Sequence, residues 1–260
     1  MCRHAAWLGA PRTLTSLIHE PDNGLLKQSY APRLQRYGTV NADGYGMGWY
    51  DPAHPEPVRY RRAVPIWTDA NLPALARIAR SHCLLAAVRS ATVGMPVEET
   101  ATAPFADGRW LLSHNGRVAR DAVSDLVGDP TGAPENAGDP EDAGGSKHVG
   151  DPESSCDSAW LAAAVFPRRR AGLPLGEALA EVVSHAGAKD PGARLNLLAC
   201  DGASLAATAW GDTLFVHHDD RPCGGVLVAS EPLDERPGWR AVPDRSLLLA
   251  SPGGVHVQPL

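Results

Sequence analysis

From Leu195 to Val257 the chain reads as a succession of short apolar strands with no helix between them, and this constrains the fold more than any other feature. The segments run Leu195 to Ala199, Leu205 to Ala209, Leu214 to His217, Val226 to Ala229, Leu247 to Ala250 and Val255 to Val257, each short, apolar and bounded by turn residues. Turn pairs such as Asp201-Gly202 and Gly211-Asp212 separate some of them. Parallel neighbours need a crossover of about a dozen residues or more, usually helical. Strands that follow one another this closely therefore fit antiparallel pairing better than parallel winding.

Earlier in the chain, Tyr45 to Tyr50, Cys83 to Val88 and Trp110 to Ser113 read as further strands. Between them Leu72, Leu75, Ala76, Ile78 and Ala79 recur at helical spacing behind Thr68 and Asp69 as caps. Two more helices are predicted near Ser158 to Phe166 and Leu175 to Ala186. Two groups of strands separated by paired helices point to sheets packed face to face with helices outside. The Gly-rich run near Gly46 lacks the following helix that a dinucleotide site requires.

Charge is concentrated in one place. The segment 128–153 holds seven acids against Lys147, and the whole chain has 24 Lys and Arg against 30 Asp and Glu, a net charge of −6. The remainder is therefore neutral and carries no basic footprint for nucleic acid. Three Gly-Asp-Pro repeats and a shortage of apolar residues predict that this segment is a disordered surface insertion. It separates 1–127 from 154–260, which read as halves of one domain spanning 2–260. Because the insertion ends close to Asp157, a lid is one reading of it, and a tolerated surface expansion the simpler one.

No apolar run is long enough to span a bilayer, and the apolar stretch after Arg3 and His4 is broken at Pro11 and Arg12, too short for a secretory leader. A cytoplasmic protein is expected. Five scattered cysteines without a C-x-x-C pair argue against a disulfide framework or structural zinc.

Four short stretches carry chemistry. Cys2 follows the initiator, so removal of Met1 would place an α-amine and a thiol on one residue, a nucleophile with its own base. Arg89 ends an apolar strand in Arg-Ser-Ala-Thr-x-Gly, and its planar fork suits a carboxylate. His-Asn-Gly at 114–116 reads in two ways: as a hairpin turn, or as Asn115 and Gly116 offering N–H donors to a developing oxyanion. Asp157 stands at a helix entry, either as a cap or as a carboxylate for a ligand ammonium.

These elements, together with Asn-x-Asp-Gly-x-Gly-x-Gly at 41–48, occur in an order that resembles class II glutamine amidotransferases of the N-terminal-nucleophile hydrolase superfamily. Within it, MCRHAAWLG, IHEPDNGLLKQSYAP, RYGTVNADGYGMGWY, VRSATVG, HNG, LNLLACDG and ASEPLDERPGW resemble the γ-glutamyl amidohydrolases of ergothioneine biosynthesis, which remove glutamate from γ-glutamyl-hercynylcysteine sulfoxide. The likeness covers nearly the whole chain outside the acidic insertion.

The resemblance implies an α+β fold, a four-layer αββα sandwich of two mainly antiparallel sheets, with Cys2 opening a strand at a sheet edge. It implies Cys2 as nucleophile, Asn115 and Gly116 as the oxyanion hole, and Arg89, Thr92 and Asp157 as the glutamyl-binding residues. Ala159 and Ser90 depart from common family patterns, the first where many relatives carry an acid and the second where many carry a bulky residue. The family substrate bears a trimethylammonium, and such cations favour aromatic faces, so Trp7, Tyr45 and Trp49, nearest the motifs, are candidates for the leaving group, with packing or an interface role the simpler reading. The expected partner is a small γ-glutamyl substrate, with no nucleic acid, membrane, metal or organic cofactor; oligomeric state is left open. A glutaminase subunit feeding ammonia to a separate synthase is the alternative, and a non-catalytic γ-glutamyl-binding module a third reading.

Overall fold

The computed structural model describes residues 2–127 and 151–260. Met1 and most of the predicted insertion lie outside the described residues. The chain first lays down β1 (Arg3–Thr13), β2 (Tyr45–Trp49), β3 (Val58–Arg62) and β4 (Arg80–Val88) in one sheet, then crosses to a second with β5 (Phe105–Asp107) and β6 (Trp110–Arg117). β7 (Arg194–Cys200) and β8 (Leu205–Ala209) extend the second sheet. β9 (Phe215–Asp219), β10 (Gly225–Ala229) and the short β11 (Arg240–Ala241) return to the first, and β12 (Ser246–Ser251) and β13 (Gly254–Pro259) finish the second.

The sheet orders are β11-β9-β10-β1-β4-β2-β3 and β13-β12-β8-β7-β6-β5. All these pairings are antiparallel, as the closely spaced late strands require. β1 is the middle strand of its sheet, which corrects the expectation of a sheet edge: β4 and β10 hydrogen-bond its two sides.

Side-chain alternation along the strands builds three apolar layers. Ala6, Leu8, Leu85, Leu111, Leu198 and Val228 pack between the sheets. The opposite parity, Ala5, Trp7, Leu84, Ala86 and Leu227, packs under α1 (Thr15–Ile18), α2 (Leu25–Tyr30) and α3 (Leu72–Ile78). On the far side, Leu112, Leu195, Leu197 and Ala199 meet α5 (Asp157–Arg170) and α6 (Leu175–Lys189); the four-residue α4 (Ser124–Val127) precedes them. The result is the αββα order of layers. Asn71, rather than Thr68 or Asp69, occupies the cap position of α3.

The predicted disordered stretch reached Glu153, yet this residue is held in place. Its carboxylate accepts from Arg59 Nη1 at 2.7 Å and Arg61 Nη2 at 2.8 Å. An acid facing two arginines of β3 has a strong reason to be fixed that acidic composition alone does not reveal.

Candidate active site

Cys2 and Asn115 are brought together by parity and one cross-sheet contact. His4 Nδ1 and Ser113 Oγ hydrogen-bond at 3.1 Å between β1 and β6. Cys2 lies two residues before His4 and Asn115 two residues after Ser113, so both side chains share the inter-sheet face at the same end of the sandwich. Burial, reinforced by the charges of Arg3 and His114, pushes His4 down to about 3. The imidazole is thus neutral, a strut rather than a base.

Asn115-Gly116 lies within β6 and is not a hairpin turn; Asn115 pairs with Asn196 and Gly116 with Leu195 of β7. Asn115 is fully buried, and neither its Oδ1 nor its Nδ2 has a hydrogen-bond partner among the described residues. A buried amide left unmet costs about 1–3 kcal/mol, a cost that a ligand able to bond it would offset. Gly116 is required for close approach: a Cβ there would sit 1.9 Å from the Arg194 carbonyl oxygen. His114, on the opposite face, clamps the register through Ser158 Oγ and the Arg194 carbonyl, both at 2.9 Å.

Arg89 follows β4, beside β1, and is buried. Asp43 and Gly44 hold its backbone: Arg89 N–H donates to the Gly44 carbonyl at 2.7 Å, and Asp43 N–H to the Arg89 carbonyl at 2.9 Å. The Asp43 carboxylate accepts from Ala91 N–H at 2.8 Å, and Gly44 takes a φ of +138° that favours glycine. This is the structural content of the Asn-x-Asp-Gly motif. The guanidinium makes a long 3.5 Å contact to the Asp43 carbonyl and no ion pair among the described residues, leaving its fork available. Thr92 sits in the following turn, where its carbonyl accepts from Met95 N–H at 2.9 Å. Ser90 approaches Cys2 through its carbonyl oxygen, 4.0 Å from Cys2 Sγ.

Asp157 is the first residue of α5, with Cys156 at the cap position. Its carboxylate accepts from Ser158 N–H at 2.8 Å and Val118 N–H at 3.2 Å, joining the helix start to the chain just beyond β6. Arg89 comes close to this helix entry: burial raises the Cys156 thiol, and the charges of Asp157 and Arg89 both act on it. A buried cation and a carboxylate are thus both within electrostatic reach of Cys156 at the start of α5.

Trp7, Tyr45 and Trp49 do not join this site. Trp7 lies five residues after Cys2, an odd offset that turns it to the outer face, where it is core and carries the Arg12 guanidinium 3.7 Å above its ring. Tyr45 is buried on that same face with its hydroxyl donating to Asp69, and Trp49 packs against the same cluster. Core packing, the simpler reading of these aromatics, accounts for all three. Among the described residues no group of three or more His, Cys, Asp or Glu is arranged to hold a metal, and no helix is long and apolar enough to cross a membrane.

Two layers of helix enclosing two antiparallel sheets, with cysteine and asparagine opposed at one end, define the class II glutamine amidotransferase type of N-terminal-nucleophile fold. Solved structures agree in fold: a glutamine aminotransferase class-II domain protein from Silicibacter pomeroyi aligns over 99% of both chains with a TM-score of 0.63 at 23% identity. The glutamine phosphoribosylpyrophosphate amidotransferase of B. subtilis aligns over this whole chain and 49% of its own, with a TM-score of 0.66 at 13% identity. No family model matches the chain. In sequence it is 48% identical to the γ-glutamyl-hercynylcysteine sulfoxide hydrolase of Mycolicibacterium smegmatis over 100% of both proteins. It is 46% identical to that of Mycobacterium tuberculosis over 100% of this chain and 97% of the relative. The chain belongs to the γ-glutamyl-hercynylcysteine sulfoxide hydrolase family, and it is a hydrolase.

Proposed function

We propose that this protein hydrolyses the γ-glutamyl amide of γ-glutamyl-hercynylcysteine sulfoxide, releasing glutamate, with Cys2 as the nucleophile. The observation that carries this reading is the unpartnered, buried Asn115 amide, which strand parity about the His4–Ser113 bond puts on the same inter-sheet face as Cys2. Arg89 holds the glutamyl α-carboxylate and Asp157 its α-ammonium, with Thr92 beside them, so that the γ-carbonyl lies over the sulfur. Once Met1 is removed, the Cys2 α-amine takes the thiol proton and sulfur attacks the carbonyl carbon.

Asn115 Nδ2–H and the Gly116 backbone N–H then receive the developing oxyanion. Collapse returns the proton to the departing amine and leaves a γ-glutamyl thioester on Cys2. Water, deprotonated by the same α-amine, attacks the thioester and regenerates the thiol as glutamate leaves. One water is consumed for each amide cleaved.

The test is glutamate release from γ-glutamyl-hercynylcysteine sulfoxide, γ-glutamylcysteine and glutamine by wild-type and Cys2→Ala protein. Turnover of the first at the highest kcat/KM, abolished in the variant, supports the proposal. Preference for glutamine, or turnover surviving the substitution, overturns it. Intact mass on the wild-type enzyme adds a direct reading: loss of Met1, and a γ-glutamyl adduct on rapid acid quench.

A further inference from the structure

Once Met1 is removed, the proposed nucleophile is the first residue of its strand and of the chain, and chain termini are poorly ordered unless something ties them down. On one side β4 does so, with Val88 paired to Arg3. On the other side the β10 ladder ends at Ala5 and Ala229. Ser230 carries it one residue further, donating its N–H to the His4 carbonyl at 2.9 Å and accepting the His4 N–H on Oγ at 3.0 Å. Pro232, two residues on, has no N–H to give. Among the described residues no backbone bond from this side reaches Arg3 or Cys2.

A pair of opposite charges stands there instead. Continuing the register by one step sets Glu231 opposite Arg3, a relation in which side chains on one face lie about 5 Å apart at Cβ. Both residues are wholly buried. Glu231 is fixed through Oε2, which accepts the N–H groups of Arg33 at 2.8 Å and Leu34 at 2.9 Å, while its Oε1 has no hydrogen-bond partner among the described residues.

The Arg3 guanidinium has no hydrogen-bond partner at Nε, Nη1 or Nη2 among the described residues, and no ion pair within 4 Å. Burial pushes it below its ordinary value, opposed by the charges of Glu231, Asp212 and Cys2. Asp212 is already engaged by Arg194 Nε at 3.3 Å, which leaves Glu231 as the acid that answers Arg3.

A guanidinium that makes no hydrogen bond uses neither its plane nor its fork. What it contributes is charge, and inside a protein a charge acts over several ångströms. Such a group is a poor device for stability, because apolar residues of similar volume in place of buried charges often leave a protein as stable or more so. Its field reaches two things: the acid fastened to the backbone at 33–34, and the sulfur of Cys2.

We infer that Arg3 is a positioning residue of this hydrolase: held against Glu231, it fixes the N-terminal Cys2 at the start of β1 and sets a positive charge near the sulfur as that atom becomes negative during attack. The inference rests on Cys2 as the nucleophile. Arg3 exchanges no proton, and the thiol proton still passes to the α-amine.

Two variants separate charge from shape: Arg3→Met keeps the length without the charge, and Arg3→Lys keeps the charge without the fork. Intact mass establishes loss of Met1 in each, urea melts read stability, and glutamate release from γ-glutamyl-hercynylcysteine sulfoxide gives kcat and KM. Arg3→Met is expected to lower kcat about ten- to a hundredfold with KM nearly unchanged, and to slow alkylation of Cys2 by iodoacetamide about three- to tenfold. Its urea midpoint should stay at the wild-type value or rise. Arg3→Lys should restore kcat to within about threefold of wild type. Adding Glu231→Gln to Arg3→Met should change kcat by less than about twofold, since the acid then has no cation to hold.

Wild-type kcat and alkylation in Arg3→Met overturn the inference. So does failure to fold, or a loss of kcat that follows a fall in the urea midpoint, since either assigns Arg3 to the fold. A loss carried by KM alone, one that Arg3→Lys does not restore, or a further loss on adding Glu231→Gln overturns it equally. Failure of the underlying mechanism reads differently: turnover by Cys2→Ala protein removes the nucleophile whatever the Arg3 variants do.

Discussion

His4 and Ser113 hydrogen-bond across the two sheets at 3.1 Å, and this contact fixes where the chemistry can occur. Two residues outward from it, on strands of fixed parity, Cys2 and Asn115 face each other. Because His4 is held neutral by burial, the contact survives across the working pH range, and in the proposed mechanism the proton of the thiol goes to the α-amine of Cys2 and not to this imidazole.

Asn115→Ala is expected to lower kcat about 10²–10³-fold with little change in KM, the usual result of removing one oxyanion donor. Asn115 makes no side-chain hydrogen bond among the described residues, so the loss leaves no stranded partner. Steady-state kinetics beside a urea melt check this: a collapse in stability matching the loss of rate would show that Asn115 serves the fold instead.

Gly116→Ala should be the opposite case, because its Cβ would meet backbone atoms, the Arg194 carbonyl oxygen at 1.9 Å and carbon at 2.5 Å. Neither can rotate away as a side chain would. A destabilisation of about 1–3 kcal/mol or more is expected, read as a lower urea midpoint. An unchanged midpoint would mean that β6 and β7 separate easily at this point.

How much of this was legible in the sequence depends on the kind of signal. The antiparallel sheets followed from the late strands, which leave no room for crossovers. Cys2, Arg89 and Asp157 are singled out as candidates by motif order. Asn115-Gly116 was ambiguous, since a turn and an oxyanion hole want the same dipeptide; the Asn115–Asn196 pairing decides that it is strand.

The aromatic candidates were misjudged by nearness along the chain. Alternation along β1 puts Trp7 and Cys2 on opposite faces, so parity alone was the signal that would have excluded Trp7. Asp212 reads in the sequence only as half of a turn, because its ion pair with Arg194 and the bond its carbonyl accepts from Asn196 are contacts that no local pattern encodes. Glu153 was hidden likewise by an acidic neighbourhood, its partners lying 94 and 92 residues earlier in the sequence.

Arg89→Lys retains the charge but loses the fork. With no ion pair in place among the described residues, Arg89 holds the geometry for two parallel bonds to a carboxylate, which a lysine cannot reproduce. A fall in kcat/KM of about ten- to a hundredfold is expected, carried mostly by KM for every γ-glutamyl substrate alike. An effect confined to one leaving group would move Arg89 to the other half of the site.

Glu153 gives the pH dependence its sign. Burial by itself would raise its carboxyl, but the charges and hydrogen bonds of Arg59 and Arg61 outweigh this and hold it below the usual range. A carboxyl depressed in the folded state contributes stability above its unfolded pKa of about 4.3 and loses it as pH falls through the folded value. The pair is only partly exposed, with 25% of the Glu153 side chain and 12% of that of Arg61 accessible. Glu153→Gln should therefore cost about 1–2 kcal/mol at pH 7, leaving two β3 arginines without their shared acid. Urea melts from pH 7 to pH 3 check this: the gap between wild type and variant should narrow as pH falls below the unfolded value of about 4.3 and go on closing as the folded carboxyl takes up its proton. A gap of the same size at pH 3 would assign the loss to how the substituted amide packs rather than to the missing charge, and would remove the ion pair as the reason that Glu153 is held against β3.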